Sequence, residues 1–158
     1  MSRSLGPALP PDLQKRFSQQ DLPRLLGRAL PLLTVDDRGR PHPMLCSYLE
    51  ILAVSATAIR VAVGARSGAR RNLETRGGAT LLVIEPDVTT YVKCRSSGPP
   101  LLSGDLARFE LIVEDVLEDE AAEGEAGARI TGGLTYAPVP ALDSEWARAV
   151  LAALRVNT

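Results

Sequence analysis

The sequence predicts a mainly β protein with flanking helices, in which an antiparallel sheet closes into a barrel. Six or seven short apolar segments follow one another at near-regular spacing, with turn-forming residues between them. Several of these segments alternate apolar and polar residues, which is the pattern of a strand with one buried face. Apolar stripes at helical spacing occur near the two ends of the chain, at about 10–30 and about 143–156, and one further short helix is predicted between them at 69–76. The length of 158 residues indicates a single domain, 1–158.

Composition describes an ordinary globular protein without a marked charge. Hydrophobic residues make up 45% of the chain and the net charge is −1, which excludes a disordered chain and argues against broad nucleic-acid binding. No apolar run approaches the ~20 residues that span a bilayer, and the N-terminal segment lacks the pattern of an export signal. We therefore expect a cytoplasmic protein. Cys46 and Cys94 lack C-x-x-C spacing and His42 is the single histidine, so the sequence predicts no metal site.

Short helices are predicted near both ends of the chain. Pro10–Asp12 precedes LQKRFSQQ and predicts the first helix, and Asp21 is a candidate cap for the second. Asp143–Glu145 begins the C-terminal helix. The predicted apolar stripes are Leu22, Leu25, Leu26, Ala29 and Leu30 on the second helix, and Trp146, Val150, Leu151 and Leu154 on the C-terminal helix.

Between these helices the chain predicts strands joined by turns. Leu32–Val35 has the composition of a buried strand, and Asp36–Gly39 predicts a hairpin turn. Pro43–Val54 is apolar enough for a central strand, with its proline at the start, where a missing N–H is tolerated. The other predicted strands are Ile59–Val63, Ala79–Ile84, Thr89–Arg95, Leu106–Val116 and Arg129–Tyr136, the last of which either continues to Tyr136 or ends at Gly132–Gly133.

The polar residues of these segments are predicted to face solvent. Alternation places Arg60 and Arg108 on the outward faces of their strands and puts Val92 and Cys94 on one face of theirs. The residues predicted to face inward on the strand Leu106–Val116 are Ala107, Phe109, Leu111 and Val113. The acidic segment Glu118–Gly127 has no apolar anchor and predicts a solvated loop.

The segment Gly64–Asn72 joins a strand to a predicted helix over 69–76 and carries the chemistry of an anion site. A Ser67 hydroxyl at the helix cap, free N–H groups and arginine side chains all favour a phosphate. Arg70 and Arg71 diverge by about 100° on a helix, so only one easily reaches a given phosphate. The alternative is a Ser-capped helix whose arginines are simply solvated.

These parts occur in an order that resembles the pyridoxamine 5′-phosphate oxidase-like, FMN-binding split-barrel family. Starting at Leu32, the chain has an "LxTxDxxGxPH" strand–turn–strand that ends at His42. A "Ser-x-x-Arg-x-Asn-Leu" segment follows from Ser67. The resemblance covers roughly Leu32–Val116 and implies an antiparallel Greek-key split β-barrel (FMN-binding split barrel-like).

The resemblance also implies a flavin site. The segment from Ser67 would hold the phosphate of FMN, and the strands that contain Met44–Ser47 and Arg60–Val63 would pass beside the isoalloxazine ring. Separately from the resemblance, Tyr91, Lys93 and Arg95 form a polar stripe on one predicted strand. The alternatives for Lys93 are that it is simply exposed to solvent, that it supplements the anion site, or that it lines a dimer surface. The predicted cofactor-binding residues are Ser47, Ala62, Val63, Ser67, Arg70, Arg71, Asn72 and Lys93. His42 is interpreted as structural, and no catalytic residue is assigned.

The resemblance finally implies an FMN-binding, oxidoreductase-type protein that forms a homodimer with flavin at the subunit interface. Its partner substrate would be a nicotinamide or another small molecule. The C-terminal segment from Asp143 to Thr158 lacks the Arg-x-His arrangement of true pyridoxamine-phosphate oxidases, so we do not expect oxidation of pyridoxamine 5′-phosphate. The alternatives are a cofactor-free split barrel that acts as a binding or scaffold protein, and a heme-binding member of the same fold.

Overall fold

The computed structural model describes residues 1–125 and 127–157, and only the backbone of Glu123. Within this part of the chain the strands outnumber the helices. The strands are β1 (Ser2–Gly6), β2 (Arg28–Val35), β3 (Pro41–Ser47), β4 (Ile51–Ser55), β5 (Ala58–Gly64), β6 (Gly78–Glu85), β7 (Val88–Ser96), β8 (Leu101–Ser103), β9 (Leu106–Asp119) and β10 (Leu134–Thr135). The helices are α1 (Pro11–Arg16), α2 (Leu22–Leu25), α3 (Gly68–Thr75) and α4 (Glu145–Arg155). None of these helices has the length and hydropathy needed to cross a membrane.

All strand pairs in the described residues are antiparallel, and the sheet curls into a half-barrel. Its main order is β3-β2-β6-β7-β9-β5-β4, while β1 and β8 pair with β9, and β10 pairs with β2. The sheet is therefore open between β3 and β4. The predicted mainly β class with flanking helices is confirmed. The short strands β1 and β8 were not predicted, because segments of three to five residues carry little periodicity.

The core lies inside the curl and is built by the inward faces of the strands together with α1 and α2. Alternation sets these faces: in β9, Ala107, Phe109, Leu111 and Val113 are buried as predicted. Phe17, after α1, packs against Tyr48 with 5.9 Å between ring centroids. These side chains close one end of the half-barrel.

The predicted central strand Pro43–Val54 is wrong in two respects. It is broken by a 3₁₀ turn at Tyr48–Glu50, because the backbone N–H of Ser47 donates to the Glu50 carboxylate at 2.7 Å and closes a local turn. Its first part, β3, is an edge strand, since β2 is its one partner among the described strands. An edge position suits Pro41 and Pro43, because proline has no N–H for a second neighbour.

The predicted second helix is also shorter than its apolar stripe. It ends at Leu25, and Ala29 and Leu30 belong to β2 instead. Gly27 separates the two elements with φ +85°, a conformation that glycine adopts without strain. Asp21 does not cap α2 with its side chain and instead accepts a hydrogen bond from Arg24 at 2.7 Å.

The C-terminal helix begins as predicted, with Ser144 as its cap, and its buried face includes two of the four predicted residues, Val150 and Leu154. Trp146 is 43% exposed, and the residues in the core are Ala147, Val150, Ala153 and Leu154. The alanines allow α4 to pack closely on the outer side of β5 and β9. The prediction was therefore wrong for Trp146, and it missed Ala147 and Ala153.

Two arginines that were predicted to face solvent are buried beneath α4. Arg60 and Arg108 point outward from the barrel, yet they are 7% and 5% exposed. Arg60 donates to the carbonyl of Leu154 at 2.9 Å, and Arg108 donates to that of Val156 at 2.6 Å. The last carbonyls of a helix lack intrahelical donors and carry partial negative charge, so they favour cations. Burial, together with Arg60, lowers the pKa of Arg108.

The predicted strand Arg129–Tyr136 is reduced to β10, which pairs Leu134 with Ala29. At Gly133 a Cβ atom would collide with the carbonyl oxygen of Ile84, so glycine is required for this close approach. The predicted acidic loop Glu118–Gly127 begins later than expected, because β9 continues to Asp119. Its residue Ala126 lies outside the described residues.

Candidate functional site

The helix α3 begins at the predicted loop, with Ser67 as its cap. The Ser67 hydroxyl accepts a hydrogen bond from the backbone N–H of Arg70 at 3.1 Å. The first N–H groups of a helix have no intrahelical acceptor, so the start of α3 presents donors and the positive end of the helix dipole. This is the arrangement that the sequence predicted for an anion.

The two adjacent arginines, Arg70 and Arg71, differ in the contacts that their side chains make. Arg70 donates to the carbonyl of Ala65 at 2.7 Å and forms an ion pair with Glu74 at 3.1 Å. Arg71 is exposed, and its side chain has no hydrogen bond or ion pair among residues 1–125 and 127–157. Arg71 is therefore available to a ligand, whereas the side chain of Arg70 is already bound to Ala65 and Glu74.

Asn72 holds α3 in place rather than facing an open surface. It is 8% exposed, and its Nδ2 donates to Thr34 Oγ1 at 2.9 Å. Thr34 in turn donates to the carbonyl of His42 at 3.3 Å. The chain of contacts fixes the helix against the β2–β3 hairpin.

His42 lies at the start of α3. A Cβ atom on Gly68 would be 3.0 Å from His42 Nε2, which places the exposed imidazole against the first residue of the helix. The sequence predicted a structural role for this histidine. The "GxPH" segment, which resembles the family motif, could have marked His42 as a candidate site residue, but the sequence does not show that this segment lies at the start of α3.

Lys93 lies in a different place from α3. It is exposed on β7 and lines a cleft of about 320 Å³ on the outer face of the sheet, together with Leu33, Val35, Thr80 and Glu114. None of the predicted residues from Ser67 to Asn72 lines this cleft. The predicted site is therefore divided between the start of α3 and this cleft beside Lys93.

Three other predicted residues have buried side chains. Ser47 is 2% exposed and Ala62 and Val63 are each 1% exposed. The hydroxyl of Ser47 donates to Glu50 at 3.1 Å. If these residues contact a flavin, their backbone atoms make the contact, because their side chains are buried.

The outer face beside the cleft carries a row of apolar side chains, of which Leu45 is exposed and the others are partly exposed. Leu45 pairs with Pro31 across β3 and β2, and Tyr91 pairs with both Leu82 and Leu117 across β6, β7 and β9. Cross-strand partners share a face. We call this set, Pro31, Leu45, Leu82, Tyr91 and Leu117, the apolar face. The helix α4 covers the sheet at β5 and β9 instead.

The cysteines contribute to packing. Cys46 and Cys94 are 2% and 3% exposed. Burial raises the pKa of both thiols, that of Cys94 to about 12. Among the described residues, no group of three or more His, Cys, Asp or Glu side chains could hold a metal ion.

We therefore expect neither cysteine to react with a thiol reagent at neutral pH in the folded protein, because reaction needs an accessible thiolate. Titration with Ellman's reagent should detect no thiol in the native protein and both thiols in denaturant. Stoichiometric labelling of the native protein would contradict this.

Comparisons with known proteins identify the fold through structures only. No protein-family model and no curated protein sequence matches the chain. A candidate pyridoxamine 5′-phosphate oxidase from Lactobacillus delbrueckii is similar with a TM-score of 0.57 and 13% identity, over 72% of this chain and 98% of that one. An FMN-binding protein from Syntrophomonas wolfei is similar with a TM-score of 0.52 and 14% identity, over 70% and 96%.

A third solved structure is a homologue of nitrilotriacetate monooxygenase component B from Mycobacterium thermoresistibile. It has a TM-score of 0.52 and 12% identity, over 71% of this chain and 80% of that one. The chain therefore has the split-barrel fold found among pyridoxamine 5′-phosphate oxidase-like flavin proteins, as the sequence resemblance predicted.

Proposed function

We propose that this split-barrel protein binds FMN, acts as an oxidoreductase and works as a homodimer. The observation that carries the proposal is the start of α3, where the Ser67 cap, the helix N–H groups and the His42 imidazole lie together, with the exposed Arg71 one turn into the helix. Hydrogen-bond donors and cations at a helix start fit a phosphate dianion. Similar solved structures of the same fold include an FMN-binding protein.

In this proposal Arg71 is the arginine that binds phosphate. Arg70 already donates to Ala65 and Glu74, and recruiting it would break both contacts. Asn72 keeps α3 against Thr34 and so positions the phosphate site.

The cleft beside Lys93 is the proposed place for the ring. Its Leu33 and Val35 side chains provide an apolar wall, and Thr80 and Lys93 provide polar groups. When bound, FMN supplies the hydride or electron chemistry. The chain's own residues bind the cofactor and exclude water, with a nicotinamide or another small molecule as the proposed second substrate.

The homodimer is proposed because the cleft adjoins the apolar face. The apolar face extends over strands β3, β2, β6, β7 and β9, which at about 4.8 Å per strand spans about 19 Å. A contiguous exposed apolar patch usually marks an interaction surface. A second copy on this face would complete the cleft and shield the ring.

The absorption spectrum of the purified protein after incubation with FMN tests the proposed cofactor. We expect the two visible flavin bands to remain after removal of free ligand. A Soret band in the protein as purified would favour the heme-binding alternative. Failure to retain either group would favour the cofactor-free alternative.

Replacing Arg71 by Ala should weaken FMN binding by about tenfold or more, since a charge-assisted phosphate contact contributes about 1.5–3 kcal/mol. Riboflavin, which lacks the phosphate, should bind both proteins equally. Fluorescence titration of the two flavins measures this, with Arg70→Ala as the matched control. Changing both arginines together should add little to Arg71→Ala. An equal loss for both flavins, or a larger effect of Arg70→Ala, would exclude the assignment.

A further inference from the structure

A second cleft lies at the end of the half-barrel opposite the β2–β3 turn. Thr34, near that turn, pairs with Ala79 at the start of β6, so the β6–β7 turn at Pro86–Asp87 lies at the other end. There a cleft of about 690 Å³ opens between α1, α2, that turn and the last residues of β9. Its volume is within the range of small-molecule sites. It shares no lining residue with the cleft beside Lys93.

Two apolar side chains and one hydroxyl-bearing residue in the lining of this cleft are buried. Leu13 and Leu25 line it and are 2% and 1% exposed. Thr90 also lines it and is 5% exposed, and its Oγ1 has no hydrogen-bond partner among the described residues. Because buried hydroxyls are nearly always hydrogen-bonded, a ligand with a polar group at its apolar end would satisfy Thr90.

Two opposite charges at the rim are without partners. Asp12 and Lys15 lie three residues apart on α1, both are exposed, and neither side chain has a hydrogen bond or ion pair within the described part of the chain. Residues at this spacing lie on the same helix face, with about 5–6 Å between Cβ atoms. Other rim charges are already paired, as in Arg16–Asp87, Arg24–Asp21 and Arg3–Glu118.

We propose that this cleft binds a free α-amino acid whose apolar side chain ends in a hydrogen-bonding group, as in tyrosine. The ammonium group of the ligand pairs with Asp12 and its carboxylate pairs with Lys15. The side chain packs on Leu13 and Leu25, and its polar end reaches Thr90. A ligand with an ammonium group but no carboxylate would leave Lys15 without a partner, and a ligand with a carboxylate but no ammonium group would leave Asp12 without one. The site is independent of the proposed flavin function.

A ligand series tests the site by calorimetry on the full chain. L-tyrosine should bind saturably with one site per chain. Tyramine, 3-(4-hydroxyphenyl)propanoate and L-phenylalanine should each bind about tenfold more weakly, since each lacks one of the three polar groups. Absence of tyrosine binding up to its solubility, or equal affinity for all four compounds, would overturn the proposal.

Variants separate the contacts from one another. Lys15→Met should weaken tyrosine binding about tenfold and leave tyramine binding unchanged, whereas Lys93→Met, at the other lysine, should leave both unchanged. Thr90→Val should reduce tyrosine affinity to that of phenylalanine. Equal effects of Lys15→Met and Lys93→Met on tyrosine would refute the rim assignment, whatever the outcome of the flavin titrations.

Discussion

Replacement of Glu85 by Gln should lower the free energy of unfolding by about 3 kcal/mol, because it removes the counter-charge of Arg28 and leaves Arg16 with Asp87 alone. Glu85 is 4% exposed and accepts hydrogen bonds from Arg16 at 2.6 Å, Arg28 at 2.5 Å and the Tyr48 hydroxyl at 3.0 Å. Glutamine keeps the volume but not the charge. The expected loss is at the lower end of the range for buried pairs because the Arg28 side chain is 36% exposed.

Urea denaturation measures this effect as a lower transition midpoint with an unchanged slope. Glu114→Gln is the matched control, because the Arg95–Glu114 pair is 59% and 45% exposed and such pairs contribute at most about 1 kcal/mol. Equal destabilisation by the two substitutions would mean that the Glu85 cluster has no special role in stability.

Leu45→Glu should convert a homodimer into a monomer. Leu45 is 61% exposed in the single chain, so the substitution costs the monomer little. In the proposed dimer it would bury an unpaired charge, at about 3–5 kcal/mol per copy, and two-fold symmetry places the substitution in the interface twice. The dissociation constant should therefore rise by at least about ten-thousandfold.

Sedimentation at micromolar concentration should give about twice the 16.9 kDa chain mass for the unsubstituted protein and a single chain mass for Leu45→Glu. Leu102→Glu is the control, because Leu102 is 55% exposed on β8, away from the apolar face. A monomeric unsubstituted protein would remove the dimer from the proposal. If the ring is shielded between subunits, Leu45→Glu should also release FMN.

Much of the fold was predictable because the information is local. Alternating residues identified the buried faces of β7 and β9, and Ser67 followed by a basic segment identified the start of α3. Hydrophobic periodicity reports which face of an element is apolar, and capping reports where a helix begins. The mainly β class with an antiparallel sheet and the candidate anion site could therefore be predicted from local patterns, whereas the opening of the barrel between β3 and β4 could not.

The tertiary structure was needed to show which polar groups are buried against partners that are distant in the chain. Arg60 is separated by 94 residues from Leu154, whose carbonyl it binds, and Glu85 by 57 residues from Arg28. Periodicity predicts that such charges face solvent, because it carries no information about a helix that packs over them. The same limit applies to the anion site, where the contacts of Arg70 with Ala65 and Glu74 leave Arg71 free and the β2–β3 hairpin brings His42 to α3. Burial of a charge depends on the partners that three-dimensional packing supplies, and sequence spacing does not specify those partners.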